Sequence, residues 1–433
     1  MSVGGFIRRK IYWSIDFLKG SPIGCHFNDI KSILNDNKKG KIKQETYLNN
    51  LLKHAVKNSH FYNGHVDKDL EHFPVMNKMD YLTHYESIKV DLSLIPFHKG
   101  KMHIISTSGS TGTMLVVPQD FRKRNRVLAE LKYFGEIAGY KSHERLVQLR
   151  IWKHGQYKSK IQTFKENIFA FGCTKMDEGT LNNLCSLIKK KNIVAILGYA
   201  SWFGLFAQYI ENNSIKLVGI KIIITGGEML QNNIRFKLKK LIGCNVVSRY
   251  ANQEQGILGQ ELINDEHFYL NHASYYFEIL KFDNDEKADY GEIGRIVITD
   301  LYNYAFPMIR YDTGDAGIMA AGNHLSKGYP VLYKIYGRRV DMIYDTNGSP
   351  VHPHTITAIL NHLPDIIQWQ FIQKTTKQYL LRINGNTKMN YKNVISEMKN
   401  IFGNHAEISI EFVDKIPVLA SGKRKTIICE LKK

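Results

Sequence analysis

The spacing of apolar side chains changes twice along the chain, and each change marks a new kind of element. Near the N-terminus, Phe6–Leu18 (FIRRKIYWSIDFL) mixes apolar and basic positions at helical spacing. Such a pattern serves either a first helix packed on the core or an interfacial helix lying on anionic lipid. A second run from Leu48 carries Leu51, Leu52, Ala55 and Val56 at helical spacing, and Phe73-Pro74 then leads into polar connections. Residues 1–100 therefore read as an N-terminal helical region.

Beyond residue 120 the pattern alternates. Strand-like runs at 146–152 (LVQLRIW), 193–197 (IVAIL), 221–225 (KIIIT) and 245–250 (NVVSRY) are separated by helical stretches. One helix follows Glu178-Gly179, with Leu181, Leu184 and Ile188 on one face, and another follows Gln231, with Ile234, Leu238 and Leu241. Parallel strands need crossover connections, so the alternation predicts an α/β body over residues 101–336. After Gly337 a shorter mixed unit begins, with alternation at 379–383 (YLLRI) and 408–412 (ISIEF) around a helix from Tyr391 to Phe402. Residues 337–433 are thus expected to form a small α+β domain.

Composition narrows the classes without choosing one. At 433 residues, 43% hydrophobic and 11% aromatic, the chain can bury the cores of two or three domains. No stretch approaches the roughly 20 apolar residues of a membrane-spanning helix, and the N-terminus lacks a continuous apolar run ending in a small-residue cleavage site. A cytoplasmic protein is the expectation. Cys25, Cys173, Cys185, Cys244 and Cys429 are scattered without CxxC or metal-ligand spacing, so they read as reduced thiols. The net charge of +19 suits an anionic partner such as nucleotide, nucleic acid, acidic glycan or membrane surface. The excess is dispersed with no RNA-binding signature, which disfavours nucleic acid and leaves peripheral membrane association open.

Six segments carry candidate chemistry. Ser106–Thr113 (STSGSTGT) places two glycines among hydroxyl residues after Ile104-Ile105. With six hydroxyl residues in all (Ser106, Thr107, Ser108, Ser110, Thr111 and Thr113), such a loop lets backbone and hydroxyl donors approach phosphates, although it also fits a Ser/Gly linker. It is no Walker A loop, since no Gly-Lys-Ser/Thr follows at the required spacing. Thr225–Glu228 (TGGE) ends a predicted strand, where open α/β sheets place ligand loops and where glycines admit a flat base. Tyr250–Glu254 (YANQE) also follows a strand and offers an aromatic face and a carboxylate able to hold Mg²⁺. In Arg310–Asp315 (RYDTGD), Asp315 follows a glycine turn and can accept from both hydroxyls of a ribose. Tyr336–Asp341 (YGRRVD) sits where the composition changes, as a hinge would, and Leu419–Lys425 (LASGKRK) is a tight turn delivering a lysine.

In this order the six resemble the adenylate-forming superfamily of acyl-CoA synthetases, adenylation domains and luciferases. LLKHAVKNSHFY (51–62), LGYASWFGLFAQY (197–209), HFYLNHASYYFEIL (267–280) and GEIGRIVITDLYNYAFPMIRYDTGD (291–315) narrow the resemblance to the phenylacetate-CoA ligase and CapK-like capsule-biosynthesis branch. The resemblance implies a large N-terminal α/β domain and a small mobile C-terminal lid, with ATP and Mg²⁺ as cofactors and coenzyme A as a candidate. It implies that Ser108, Gly109, Ser110, Thr111 and Gly112 close over the ATP phosphates, and that the backbone of Gly226, Gly227 and Glu228 lines the adenine pocket. Tyr250 would stack on the base, Asp315 would hold the ribose, and Arg338 would contact the nucleotide near the hinge. Glu254 would hold Mg²⁺ and Lys423 would stabilise charge at the α-phosphate.

Departures from the family pattern are equally specific. The phosphate loop continues Gly112-Thr113-Met114-Leu115 without a Pro-Lys, the hinge position falls on Val340 beside Asp341, and HLSKGYPVLYKIYG (324–337) replaces a cysteine-bearing segment, so no metal is expected there. Trp152, His154, Tyr199, Trp202 and Phe203 are candidates for an acyl pocket, although aromatics at such positions also serve as plain core. The expected reaction is activation of a small carboxylic acid to an acyl-adenylate. The acyl group would then pass to a thiol or amine: coenzyme A, a carrier protein, or an amino sugar in surface polysaccharide synthesis. An aryl- or acyl-CoA ligase of phenylacetate type and a catalytically silent nucleotide-binding scaffold are the alternatives.

Overall fold

A computed structural model describes residues 3–65, 69–107, 114–150, 158–172, 177–338, 343–348, 350–351, 356, 359–360, 363, 366–385, 390–417 and 425–431, with the side chains of Gly337, Arg338 and Pro350 outside that description. The N-terminal region is helical, with α1 (Val3–Leu18), α2 (Gly24–Asn35), α3 (Asn37–Asn58), α4 (Lys78–Thr83) and α5 (Tyr85–Ile88). Helix α3 begins well ahead of Leu48 because the Asp36 side chain caps it, accepting from the Lys39 N–H. It also ends before Phe61-Tyr62, which turn off to pack in a core with Phe73, Tyr81 and Phe306.

The centre is one sheet of eleven strands. Five are parallel neighbours: β3 (Leu146–Arg150), β4 (Ile168–Gly172), β5 (Ala195–Tyr199), β6 (Ile222–Gly226) and β7 (Asn245–Asn252). Helices α6 (Phe121–Ile137), α7 (Lys160–Glu166), α8 (Glu178–Lys191), α9 (Ala200–Asn212) and α10 (Asn232–Ile242) lie between the strands in sequence. Phe203, Phe206 and Leu238 of the helices pack on Leu149, Ile196 and Ile223 of the strands. Ahead of this half, β1 (His103–Ser106) and β2 (Val116–Gln119) form a separate hairpin.

The other six strands are antiparallel to their neighbours and were not foreshadowed by the apolar spacing. They are β8 (Gly256–Leu262), β9 (Asp265–Leu270), β10 (Tyr275–Leu280), β11 (Ile293–Asp300), β12 (Tyr311–Ala320) and β13 (Val331–Arg338). Here buried positions are often polar, with Gln260, Glu261, Glu278, Thr299, Asp300 and Asp312 all inside. Each needs a partner from elsewhere in the chain, so a two-residue apolar period never develops.

After Arg338 a smaller unit has its own core. It contains β14 (Ile343–Tyr344), β15 (Pro350–Val351), β16 (Ile366–Gln373), β17 (Gln378–Gly385), α11 (Lys392–Phe402), β18 (Glu407–Phe412) and β19 (Ile427–Cys429). Its sheet runs β18-β17-β16-β19, and Phe371, Leu381, Met398, Phe402 and Ile427 fill its interior. The fold is α/β, a large domain with a mixed sheet followed by a small α+β unit.

Candidate nucleotide and acyl site

Strands β5, β6 and β7 end along one edge of the parallel half. Tyr199, the last residue of β5, is in register with Gly226, the last of β6, which in turn faces Arg249 of β7. Gly227 then turns the chain at φ +76, a left-handed conformation that glycine adopts without steric cost. Glu228 follows, and its carboxylate accepts from the Ser201 N–H at 2.9 Å, capping the N-terminus of α9. A negative charge is favoured at that end of a helix. The Glu228 side chain is thus committed to α9, while the backbone of Gly226–Glu228 stays at the strand edge.

The adjoining β7 and β12 bring two of the singled-out residues into direct contact. The Tyr250 phenol donates to Asp315 Oδ2 at 2.8 Å across a sequence separation of 65 residues. Burial first, and the neighbouring carboxylate second, raise the Tyr250 pKa well above its ordinary value and keep the phenol protonated. Asp315 is aimed by the turn before it, where Gly314 sits at φ +78 and donates to Asp312 Oδ1, while the Asp315 N–H donates to Thr313 Oγ1. Arg338 stands opposite Asp315 in the β12–β13 register, so the end of the large domain reaches the same spot.

Glu254 follows β7 and is buried. Tyr311 donates its phenol to Glu254 Oε1 at 3.2 Å, and Gln119 Nε2 donates to the Glu254 carbonyl at 3.4 Å. The Gln119 side-chain oxygen is buried and has no hydrogen-bond partner. A carboxylate accompanied by a neutral oxygen donor fits Mg²⁺, which takes one or two carboxylates alongside substrate phosphates. Among the described residues no group of three or more His, Cys, Asp or Glu gathers into a metal cage. Gln119 ends β2, so the β1–β2 hairpin reaches Glu254. The base of its loop is pinned by Thr107, whose N–H donates to the Leu115 carbonyl and whose Oγ1 accepts from the Leu115 N–H, both at 2.9 Å.

Several expected residues fall outside the described residues: Ser108, Gly109, Ser110, Thr111 and Gly112 of the loop, Trp152, His154, Lys423 and the Arg338 side chain. Of the acyl-pocket candidates that are described, Trp202 and Phe203 sit fully within the apolar core between helices and sheet. Tyr199 is half-buried and meets Trp202 edge to face at 4.6 Å. Two arginines escaped the sequence reading. Arg310 is buried at φ +48 and clamps Glu278 at 3.1 Å together with the carbonyls of Glu71 and Phe73, which ties the N-terminal region to the antiparallel strands. Arg249 is buried beside Tyr250, and Gln260 Oε1 accepts from its Nε at 2.8 Å. Burial draws its pKa down to about 10. An isolated Arg, in strand β7 at 249 or just ahead of β12 at 310, gives no periodic signal, so only the fold could expose either role.

Residues 343–430 match the family model for the CapK C-terminal domain. Over 96% of this chain and 95% of the relative, the sequence is 25% identical to Protein CapK of Staphylococcus aureus. In sequence the chain is similar to CapK-like and phenylacetate-coenzyme A ligase proteins, and its C-terminal unit matches the CapK family. A phenylacetate-coenzyme A ligase of Pseudomonas putida is 23% identical over 88% of this chain and 84% of its own. A phenylacetate-coenzyme A ligase of Thermus thermophilus is 23% identical over 75% of this chain and 76% of its own. Among solved structures, a 2-hydroxyisobutyryl-CoA ligase in the postadenylation state, in complex with R3-HIB-AMP, superposes with TM-score 0.72 at 16% identity. That alignment covers 92% of this chain and 90% of the ligase, and it shows that the two share a fold.

Proposed function

We propose that this protein condenses a small carboxylic acid with ATP to give an acyl-adenylate and pyrophosphate, then passes the acyl group to a thiol or amine. The observation that carries the reading is the Tyr250–Asp315 contact of 2.8 Å, beside the Gly226–Glu228 turn at the end of the parallel strands. Open α/β sheets bind nucleotides at this place. The turn supplies backbone and room for a flat base, Tyr250 an aromatic face, and Asp315 a carboxylate with capacity for ribose hydroxyls.

The reaction requires two anions to meet. An oxygen of the acid attacks the α-phosphorus, the bond to the β-phosphate breaks, and pyrophosphate leaves with the electron pair. Glu254 would hold Mg²⁺, which would supply charge neutralisation for that step. Tyr311 holds the Glu254 carboxylate in place by its phenol. Arg249 adds a buried cation to which an anionic acid is attracted. By family resemblance Lys423 balances developing charge at the α-phosphate, the kind of fixed electrostatics that dominates such steps. By the same resemblance the small domain would exchange one half-reaction for the other by a lid-type motion.

Coenzyme A is the acceptor that the named ligases support. An amine of a surface polysaccharide precursor is the acceptor that the capsule-type resemblance supports. The first half-reaction is common to both. Carboxylate-dependent ATP–pyrophosphate exchange over aryl, fatty, amino and sugar acids tests it, with Asp315→Ala and Lys423→Ala as controls. The reading expects exchange with one acid class, lost in both variants and abolished by EDTA. Mg-ATP binding without exchange for any acid would favour the silent scaffold instead.

A further inference from the structure

Helix α1 is built inside out. Its inward side is polar and aromatic: Arg9 pairs with Glu136, and buried Asp16 accepts from the N–H groups of Ile23 and Gly24 at 3.1 and 2.8 Å. On the same side Tyr12 meets His143, Trp13 meets Phe27, and Lys132 lies 4.0 Å from the Tyr12 ring centre. The opposite side is apolar and faces solvent. Val3, Ile7, Ile11, Ile15 and Leu18 recur at helical spacing and are between 47% and 82% exposed, flanked by exposed Phe6 and Phe17. An ordinary surface helix turns this stripe toward the core, so the expectation of a first helix packed by its apolar face is not met.

The stripe continues onto α7 and into a cationic cleft. Arg8 donates to the Phe164 carbonyl at 2.9 Å and stacks over its ring, while Ile161 and Phe164 are 67% and 68% exposed. Beside them lies a cavity of about 510 Å³ lined by Arg8, Arg145, Lys158, Lys160, Lys190 and Lys191. Lys158 pairs with Glu166, and no carboxylate belongs to the lining. Arg145 and Asn167 immediately precede β3 and β4, so the cleft opens at the end of the sheet opposite to the nucleotide site.

We propose that α1, α7 and this cleft form a docking surface for an anionic lipid bilayer, with the apolar stripe entering the headgroup boundary and the cations meeting lipid phosphates. Charge complementarity selects this occupant. A basic cleft beside an exposed apolar stripe is the combination that binds anionic interfaces. Nucleic acid would use the cations and leave the stripe in water. A second copy docked by a two-fold axis would bring like-charged clefts together. No described helix is long and apolar enough to cross a membrane, so the contact is peripheral. The net charge of +19 acts in the same direction.

The test is sedimentation of the full chain with vesicles of phosphatidylcholine alone or with about one-third phosphatidylglycerol, against Ile7→Ser/Ile11→Ser and Lys190→Glu/Lys191→Glu. All four positions are at the surface, and unchanged melting temperatures would show that the variants fold. The expected result is binding only to the anionic vesicles, weakened at least about tenfold by each pair of substitutions and by raised salt. Equal binding to both vesicle types, no binding to either, or anionic binding indifferent to the Ile7/Ile11 pair would overturn the proposal. So would a concentration-dependent dimer dissolved by the serine pair, or RNA binding that displaces vesicles with the lipid-binding variants unaffected.

Discussion

The two halves of the central sheet are stabilised by different physics. In the parallel half, Ile196, Ile223 and Val246 pack against Phe203, Phe206 and Leu238 in a wholly apolar layer. In the antiparallel half and the helices over it, charge is buried in pairs: Lys123 meets Asp300 at 2.6 Å with both side chains fully buried, and Arg310 meets Glu278 at 3.1 Å. Apolar burial is non-directional and tolerates small changes. A buried ion pair tolerates the loss of neither partner, because the other is left as an uncompensated charge. The candidate site lies on the seam: the apolar half contributes exposed backbone at Gly226–Glu228, and the ion-paired half contributes a fixed carboxylate at Asp315.

The largest effect that separates the halves is Lys123→Met, which strands Asp300 and should cost about 3–5 kcal/mol. Adding Asp300→Leu should recover most of that loss in urea titrations, and a double variant no better than the single would break the comparison. In the antiparallel half, acid should act through a buried histidine. His272 is buried there, stacked on Tyr329 at 4.8 Å, and burial lowers its pKa from the ordinary 6.5 to about 4. The unfolded chain then binds the proton first, so stability is full above pH 6.5 and falls as pH drops toward 4, by up to about 3 kcal/mol. His272→Gln should reduce that slope in unfolding curves collected across the window, with buried His143 and half-buried His26 contributing to the remainder. At the seam, Glu228→Ala removes the cap of α9 and should cost about 1 kcal/mol by thermal melting. In the parallel half, Ile223→Val should cost about 1 kcal/mol or less, and no second substitution should be needed to limit the damage.

The same contrast explains what the sequence could disclose. Strands β5, β6 and β7 and helices α8 and α10 are apolar enough on one side for their spacing to locate them within a few residues. Strands β8–β13 are not, since Glu261, Glu278 and Asp312 sit where an apolar residue would have marked the inward face. Their partners, Arg235, Arg310 and Arg295, are distant or on other elements. Helix α1 misled for the opposite reason: its apolar stripe is real and points outward. At the site, ordered motifs singled out Tyr250, Glu254 and Asp315, and the fold places Tyr250 on Asp315. The Tyr311 phenol on Glu254 and the engagement of Glu228 with α9 depend on side-chain direction, which spacing does not encode.

The most direct test of the account is calorimetric titration of Mg-ATP into the wild-type chain and into Asp315→Ala. The account predicts saturable binding that the substitution weakens more than about tenfold, since a lost contact of a charged group with the ribose hydroxyls is worth roughly 1.5–3 kcal/mol. Equal affinity in a folded Asp315→Ala protein, or no Mg-ATP binding by the wild type, would contradict a nucleotide site at the Tyr250–Asp315 seam.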